Sequence, residues 1–219
     1  MTYETTIDRI IYACSNLNMD FKSGHKDGRI NSAIMEDKLL EKLQSVLNNS
    51  YPEMKIDIPT HRFWYDIKID DIPINLKITS GGTDNAFNKN AIIYSIIGYD
   101  LKFFSGSFES LWYKTIIYEK KKVRDKTTEY HYLVFDKSSG RFLLKPIFDI
   151  HSYTSNPCNI LQINWKNEFK NLDYRTKDED YTTKVISLMK TIQKSVLADI
   201  ESKRKFAEHD YSKLFEEDV

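Results

Sequence analysis

The stretch FWYDIKIDDIPINLKITSGGTDN, which begins at Phe63, holds three residues whose types and spacing could do chemistry: Asp66, Asn75 and Lys77. Side chains alternate across a strand. In the first half Tyr65, Ile67 and Ile69 share one face, with Trp64, Asp66 and Lys68 on the other. In the second half Ile74, Leu76 and Ile78 lie opposite Asn75, Lys77 and Thr79. The apolar faces must coincide, because a slip of one residue would bury the charges. A two-residue turn at Asp70-Asp71 sets Ile69 against Ile72, and counting back sets Asp66 against Asn75. Directly opposed residues have Cβ atoms about 4.5–5.5 Å apart. Lys77 lies two residues on, along the same face. The pattern therefore predicts a carboxylate, an amide and an amine in one place.

That group suits phosphodiester hydrolysis. Mg²⁺ takes hard oxygen ligands and keeps several waters. One or two carboxylates hold it against a phosphate oxygen, and it lowers the pKa of bound water. A lysine nearby stabilises the charge that develops on the phosphate. An asparagine carbonyl is a weaker ligand than a carboxylate, so a second acid is expected from elsewhere. Glu36, in GRINSAIMEDKLLEKL, is the expected one, with Asp37, Asp70 and Asp71 behind it. The competing reading of the same residues is an exposed hairpin face with a surface ion pair, since acid-x-Lys patterns are common.

The elements that must position these groups follow from periodicity. Ile7, Ile10, Ile11 and Cys14 have helical spacing and predict a first helix over residues 3–16. FKSGHKDGRINS reads as a loop. Ser32 is the expected N-cap of a helix from Ala33 to Leu47, with Leu39, Leu40, Leu43, Val46 and Leu47 on its apolar side. After the strand pair at 63–79, a helix is expected from about Asn85 to Gly98. Strands are expected at 130–136 and 141–148, and a short one in NPCNILQINWKNEFK. A long helix is expected from Tyr181 to about Glu208, striped by Val185, Leu188, Met189, Ile192, Val196 and Ile200. Strands and helices alternate without a regular βαβ rhythm. The expected fold class is α+β: a central mixed β-sheet flanked by helices, closed by a long C-terminal helix.

Bulk composition bounds the function classes. At 219 residues the chain suits one domain with a real core. Only 7 glycines argue against a glycine-rich nucleotide-binding protein, and no nucleotide cofactor is expected. The 2 cysteines, Cys14 and Cys158, are too few for a disulfide framework or a zinc site and read as free thiols in a reducing cytoplasm. The opening MTYETTIDRIIYACSNLNMD lacks a basic start before an apolar run, so neither signal peptide nor membrane span is expected. Lys and Arg equal Asp and Glu at 32 each, which argues against a protein that grips nucleic acid over its whole surface but not against a local basic cleft.

WYDIKIDDIPINLKITSGGTDNAFNK resembles the core of the PD-(D/E)XK nucleases, and type II restriction endonucleases in particular. SGHKDGRINSAIMEDKLLEKL and ILQINWKNEF resemble two further segments of the EcoRV- and HincII-like branch, in the same order. Together these cover about a third of the chain. The resemblance implies a restriction-endonuclease-like core at about 30–165 within one nuclease domain, 1–219. It implies a homodimer that depends on Mg²⁺ and cuts a short palindrome in double-stranded DNA to blunt ends. Asp66 matches the family's first acid and Lys77 its lysine. Asn75 stands where that branch has an acid, which leaves Glu36 to supply the second carboxylate. Catalytic candidates are thus Asp66, Lys77, Glu36 and Asn75, and metal candidates Asp66, Glu36 and Asn75.

Other polar groups are candidates for DNA contact. Asp84, Asn85, Asn88 and Lys89 follow the lysine strand, where amides could read adenine edges and lysine hold phosphate. Alternatively Thr83 or Asp84 caps the next helix. Lys26 and Arg29 lie on a loop that also holds His25, and Gln162, Asn164 and Lys166 alternate along a strand tip. The run Lys120, Lys121, Lys122, Arg124 and Lys126 could follow a phosphate backbone or be a solvated loop. Trp165 reads as core or dimer interface. The resulting expectation is a bacterial, cytoplasmic restriction enzyme of a restriction-modification system. Its rivals are a repair or structure-specific nuclease of the same fold, a DNA-binding protein without catalysis, and a protein-interaction domain.

Overall fold

A computed structural model describes residues 2–17, 28–60, 63–80, 83–84, 89–97, 129–156, 159–170 and 180–210. The described elements run α1 (Tyr3–Ser15), α2 (Gly28–Ser50), β1 (Ile56–Asp57), β2 (Ile67–Ile69), β3 (Ile72–Thr79), β4 (Thr83–Asp84) and α3 (Lys89–Ile97). Then come β5 (His131–Asp136), β6 (Arg141–Pro146), a 3₁₀ turn (Ile147–Asp149), β7 (Tyr153–Asn156), β8 (Asn159–Asn164), α4 (Trp165–Glu168) and α5 (Tyr181–Glu208). A five-stranded sheet has the order β1-β2-β3-β5-β6, and a three-stranded sheet has the order β4-β8-β7. In the larger sheet β3 and β5 are parallel and the other neighbours antiparallel. The fold is therefore α+β with a mixed sheet, helices and a long C-terminal helix, as the sequence predicts.

Each face of the large sheet carries its own core. On one, Ile72, Ile74, Leu76 and Ile78 of β3 pack with Leu133, Phe135 and Leu144 beneath α1 and α2. Helix α1 starts at Thr2, whose hydroxyl accepts the Thr5 amide, and buries Ile7, Ile10, Ala13 and Cys14. Burial raises the Cys14 thiol pKa, so this cysteine is an inert apolar group. Helix α2 buries Met35, Leu39, Leu43 and Leu47 at four-residue steps. Each such side chain contributes about 1.5–3 kcal/mol relative to exposure. The other face gathers Tyr132, Val134 and Leu143 with α3, the second sheet, and Leu188 and Ile192 of α5.

Three expectations need correction. Helix α2 begins at Gly28, ahead of the expected Ser32 cap. Strand β2 is only three residues long, and Tyr65 does not share the core of Ile67 and Ile69. The chain leaves the ladder there, and Trp64 and Tyr65 turn into the opposite core, where Trp64 packs on Tyr94 and Tyr130. Thr83 and Asp84 form a short strand, β4, paired with Asn164 and Ile163 of β8. Finally, the apolar stripe of α5 ends before Ile200, which is 55 % exposed. The α5 start is as expected, with the Asp180 carboxylate accepting the Thr183 amide at 3.1 Å.

The two sheets are joined by a buried ion pair that the sequence reading missed. Lys145 of β6 and Glu168 of α4 are both buried, with Nζ 2.7 Å from Oε2. The other oxygen, Oε1, accepts the amides of His151 at 3.0 Å and Ser152 at 2.7 Å. A lysine inside the apolar run RFLLKPIF was the available signal, since a buried cation requires a partner. Among the described residues no helix is long and apolar enough to cross a membrane.

Candidate active site at the open edge of the sheet

The hairpin closes as its pattern requires, with Ile69 opposite Ile72, Lys68 opposite Pro73 and Ile67 opposite Ile74. Pro73, which has no N–H, precedes the β5 ladder, which begins at Ile74. Asp70 holds the turn with φ of 51°. Its carboxylate accepts the Thr6 hydroxyl at 2.8 Å and the Lys55 amide at 3.1 Å, which ties the turn to α1 and β1. Asp70 thus has a structural role in the turn.

Strand β3 runs on to Thr79, whereas its neighbour β2 ends opposite Ile74. Past that point the β3 amides that face the β2 side need other acceptors. Two carboxylates supply them. Asp66 donates its own amide to the Ile74 carbonyl at 2.9 Å, and its Oδ2 accepts the Leu76 amide at 2.7 Å. Glu36, projected from α2, accepts the amide of Ile78. The acids therefore stand along the edge where the missing part of β2 would run.

Lys77 lies between those two amides on β3. Its Nζ is 3.6 Å from Glu36 Oε1, with the side chains 25 % and 29 % exposed. By the β5 register Asn75 and Lys77 share a sheet face with Tyr132 and Val134, and both are half-buried. Burial pushes the Glu36 carboxyl above its ordinary pKa; the Lys77 ammonium and the Ile78 amide pull it back, and the Asp66 charge adds to the rise. Burial also raises Asp66, against the Leu76 amide and Lys77, with the Asp37 charge adding to the rise. Asp37 itself is exposed on α2.

The residues brought together are thus Asp66, Glu36 and Lys77; the expected pairing of Asp66 with Asn75 falls outside the β2–β3 ladder, which ends at Ile67 and Ile74. Two raised carboxylates and a neutral amide oxygen form a hard donor set that fits Mg²⁺, which needs one or two protein carboxylates. Among the described residues no group of three or more His, Cys, Asp or Glu side chains is arranged to hold a metal. Any ion here would depend on Asn75, water or substrate for its remaining ligands.

The outlying candidates fall into separate groups. Asp84 meets the strand that carries Gln162 and Asn164, because β4 pairs with β8. Asn164 caps α4, its Oδ1 accepting the Asn167 amide at 3.1 Å. Lys166 is exposed and Trp165 is fully buried against Tyr132. Arg29 lies in the first turn of α2 and Lys89 opens α3; for these and Asp84 only the backbone is described. Lys26, His25, Asn85, Asn88, Cys158 and the basic run from Lys120 to Lys126 lie outside the described residues. Comparison with family models, with curated proteins and with solved structures returned no match to this chain.

Proposed function

We propose that this chain is a Mg²⁺-dependent endonuclease of double-stranded DNA, of the type II restriction class that the hairpin and its flanking segments resemble. One observation carries the reading: an acid just ahead of β2, an acid from a helix and a lysine converge on one strand edge. Two carboxylates partly withdrawn from water near one another favour a bound cation, and Lys77 brings only one positive charge to them.

Asp66 and Glu36 would hold Mg²⁺, with Asn75 as a neutral oxygen donor. Bound there, the ion supplies Lewis acidity towards a phosphate oxygen and lowers the pKa of a water. The Leu76 and Ile78 amides fix one oxygen of each carboxylate and so hold the acids in place. Lys77 donates a hydrogen bond to the phosphate as negative charge builds on it. Asp84, Gln162 and Lys166 belong to a neighbouring sheet and helix that would contact the duplex. A homodimer would present two such sites to the two strands of a palindrome. The cell context is a bacterial cytoplasm, paired with a protecting methyltransferase.

The test is digestion of a sequenced plasmid with Mg²⁺, followed by mapping of the ends. Discrete fragments with 5′-phosphates and blunt ends support the reading. A smear, or cutting confined to branched substrates, assigns the site to a repair or structure-specific nuclease instead. A second reading has its own support, because Asn75 replaces an acid and both carboxylates already cap the strand edge. On that reading the chain binds DNA without cutting it. Duplex binding in Ca²⁺ with no cleavage in Mg²⁺ or Mn²⁺ would select it.

A further inference from the structure

The contact between Lys77 and Glu36 crosses the strand edge. Helix α2 covers the sheet face lined by Leu76 and Ile78, whereas Lys77 belongs to the opposite face with Asn75. The lysine stem must therefore lean over the open edge of β3 to bring Nζ within 3.6 Å of Glu36 Oε1. A lysine has the flexible stem and point charge to do so. The ammonium also acts on Asp66, favouring the charged form of both acids against burial and mutual repulsion. It is the balancing charge of the site.

We propose that Lys77 is an internal counter-ion that competes with a divalent cation for Glu36. This rests on the metal-site reading given above. A doubly charged ion between Asp66 and Glu36 and a lysine on Glu36 are like charges at short range, and they repel. The two arrangements are therefore alternatives. Lys77 pairs with Glu36 in the free protein and gives it up on loading, which returns its ammonium to the Asn75 face. The lysine is thereby kept from the substrate position until the cation is in place.

The experiment is Mn²⁺ binding to the full chain without DNA at pH 8, followed by electron paramagnetic resonance, for wild type, Lys77→Met and Lys77→Arg. Lys77→Met should bind Mn²⁺ about tenfold more tightly, the ratio equivalent to removing one modestly screened like charge. Lys77→Arg keeps the charge and should bind as wild type does. Thermal melts establish that each variant is folded, and Lys77→Gln replaces Lys77→Met if the latter is not. Equal or weaker binding by the neutral variant overturns the proposal, as does tightening in Lys77→Arg. If wild type binds and the neutral variant does not tighten, only the competition falls. If no variant binds Mn²⁺, the metal site itself falls and the competition with it.

Discussion

Asp66 and Glu36 accept successive edge-facing amides of one strand, those of Leu76 and Ile78, although one acid comes from the hairpin and the other from a helix. Each is thus both a backbone cap and a charge, and substitution can separate the two roles. Asn at position 66 keeps an acceptor oxygen for Leu76 and removes the charge. Asp66→Asn should stabilise the metal-free protein by about 0.5–2 kcal/mol, as relief of a strained functional site does, and abolish cleavage. Asp66→Ala removes the acceptor as well and should cost about 1–3 kcal/mol. Denaturation in EDTA checks both. Loss of stability in Asp66→Asn would show that the ionised group is held for the fold and not for a ligand.

The same two acids set a pH dependence. Their folded pKa values are raised, so between the unfolded and folded values the native state holds more protons than the unfolded state. Stability of the metal-free protein therefore falls as pH rises through that window, above the ordinary carboxylate range of about 4. The double variant Asp66→Asn, Glu36→Gln should lose this slope. Urea midpoints measured from pH 4 to 8 in EDTA should converge for the two proteins at the acid end and diverge at neutrality.

Asn75 offers a gain-of-function test. It shares the β3 face of Lys77, and on the proposed reading it would offer a neutral oxygen where an acid would hold the ion more strongly. Asn75→Asp should tighten Mg²⁺ binding by about tenfold, the effect of one further favourable charge contact. If cleavage is limited by ion occupancy, activity at low Mg²⁺ rises with it. Titration calorimetry in parallel with plasmid nicking reads both. A variant that binds the ion no better would place residue 75 outside the coordination sphere.

What could be read from the sequence was the strand parity. Ile74, Leu76 and Ile78 had to face one core, so Asn75 and Lys77 had to face away, and the Ile69–Ile72 pairing followed from the short turn. The length of β2 could not be read, because FWYD continues an alternating pattern while its aromatics pack into the opposite core. That early end opens the edge the carboxylates occupy, and nothing local in the sequence encodes it. Glu36 was legible only as a requirement for a second acid. Its approach depends on α2 packing Met35 and Leu39 against the sheet. The Lys145–Glu168 pair links positions far apart in the chain, and only an isolated lysine in an apolar run hinted at it.

That pair carries the last prediction. Burial, the largest single influence, works to raise Glu168, but the Lys145 ammonium and the backbone and hydroxyl of Ser152 outweigh it and hold the carboxyl below its ordinary pKa. A depressed acid contributes stability that is present above its unfolded pKa, about 4.3, and lost as pH falls through the folded value. Glu168→Gln leaves Lys145 charged and buried and should cost about 3–5 kcal/mol, with the loss largest near neutral pH. Lys145→Met with Glu168→Leu removes both charges and should recover most of that cost. It still leaves the His151 and Ser152 amides without their acceptor, about 1–3 kcal/mol in all. Guanidinium unfolding of Lys145→Met, Glu168→Leu and the double variant closes the cycle. Additive losses would show that lysine and glutamate are not coupled. Unaltered cleavage by the folded double variant would confine the pair to joining the two sheets.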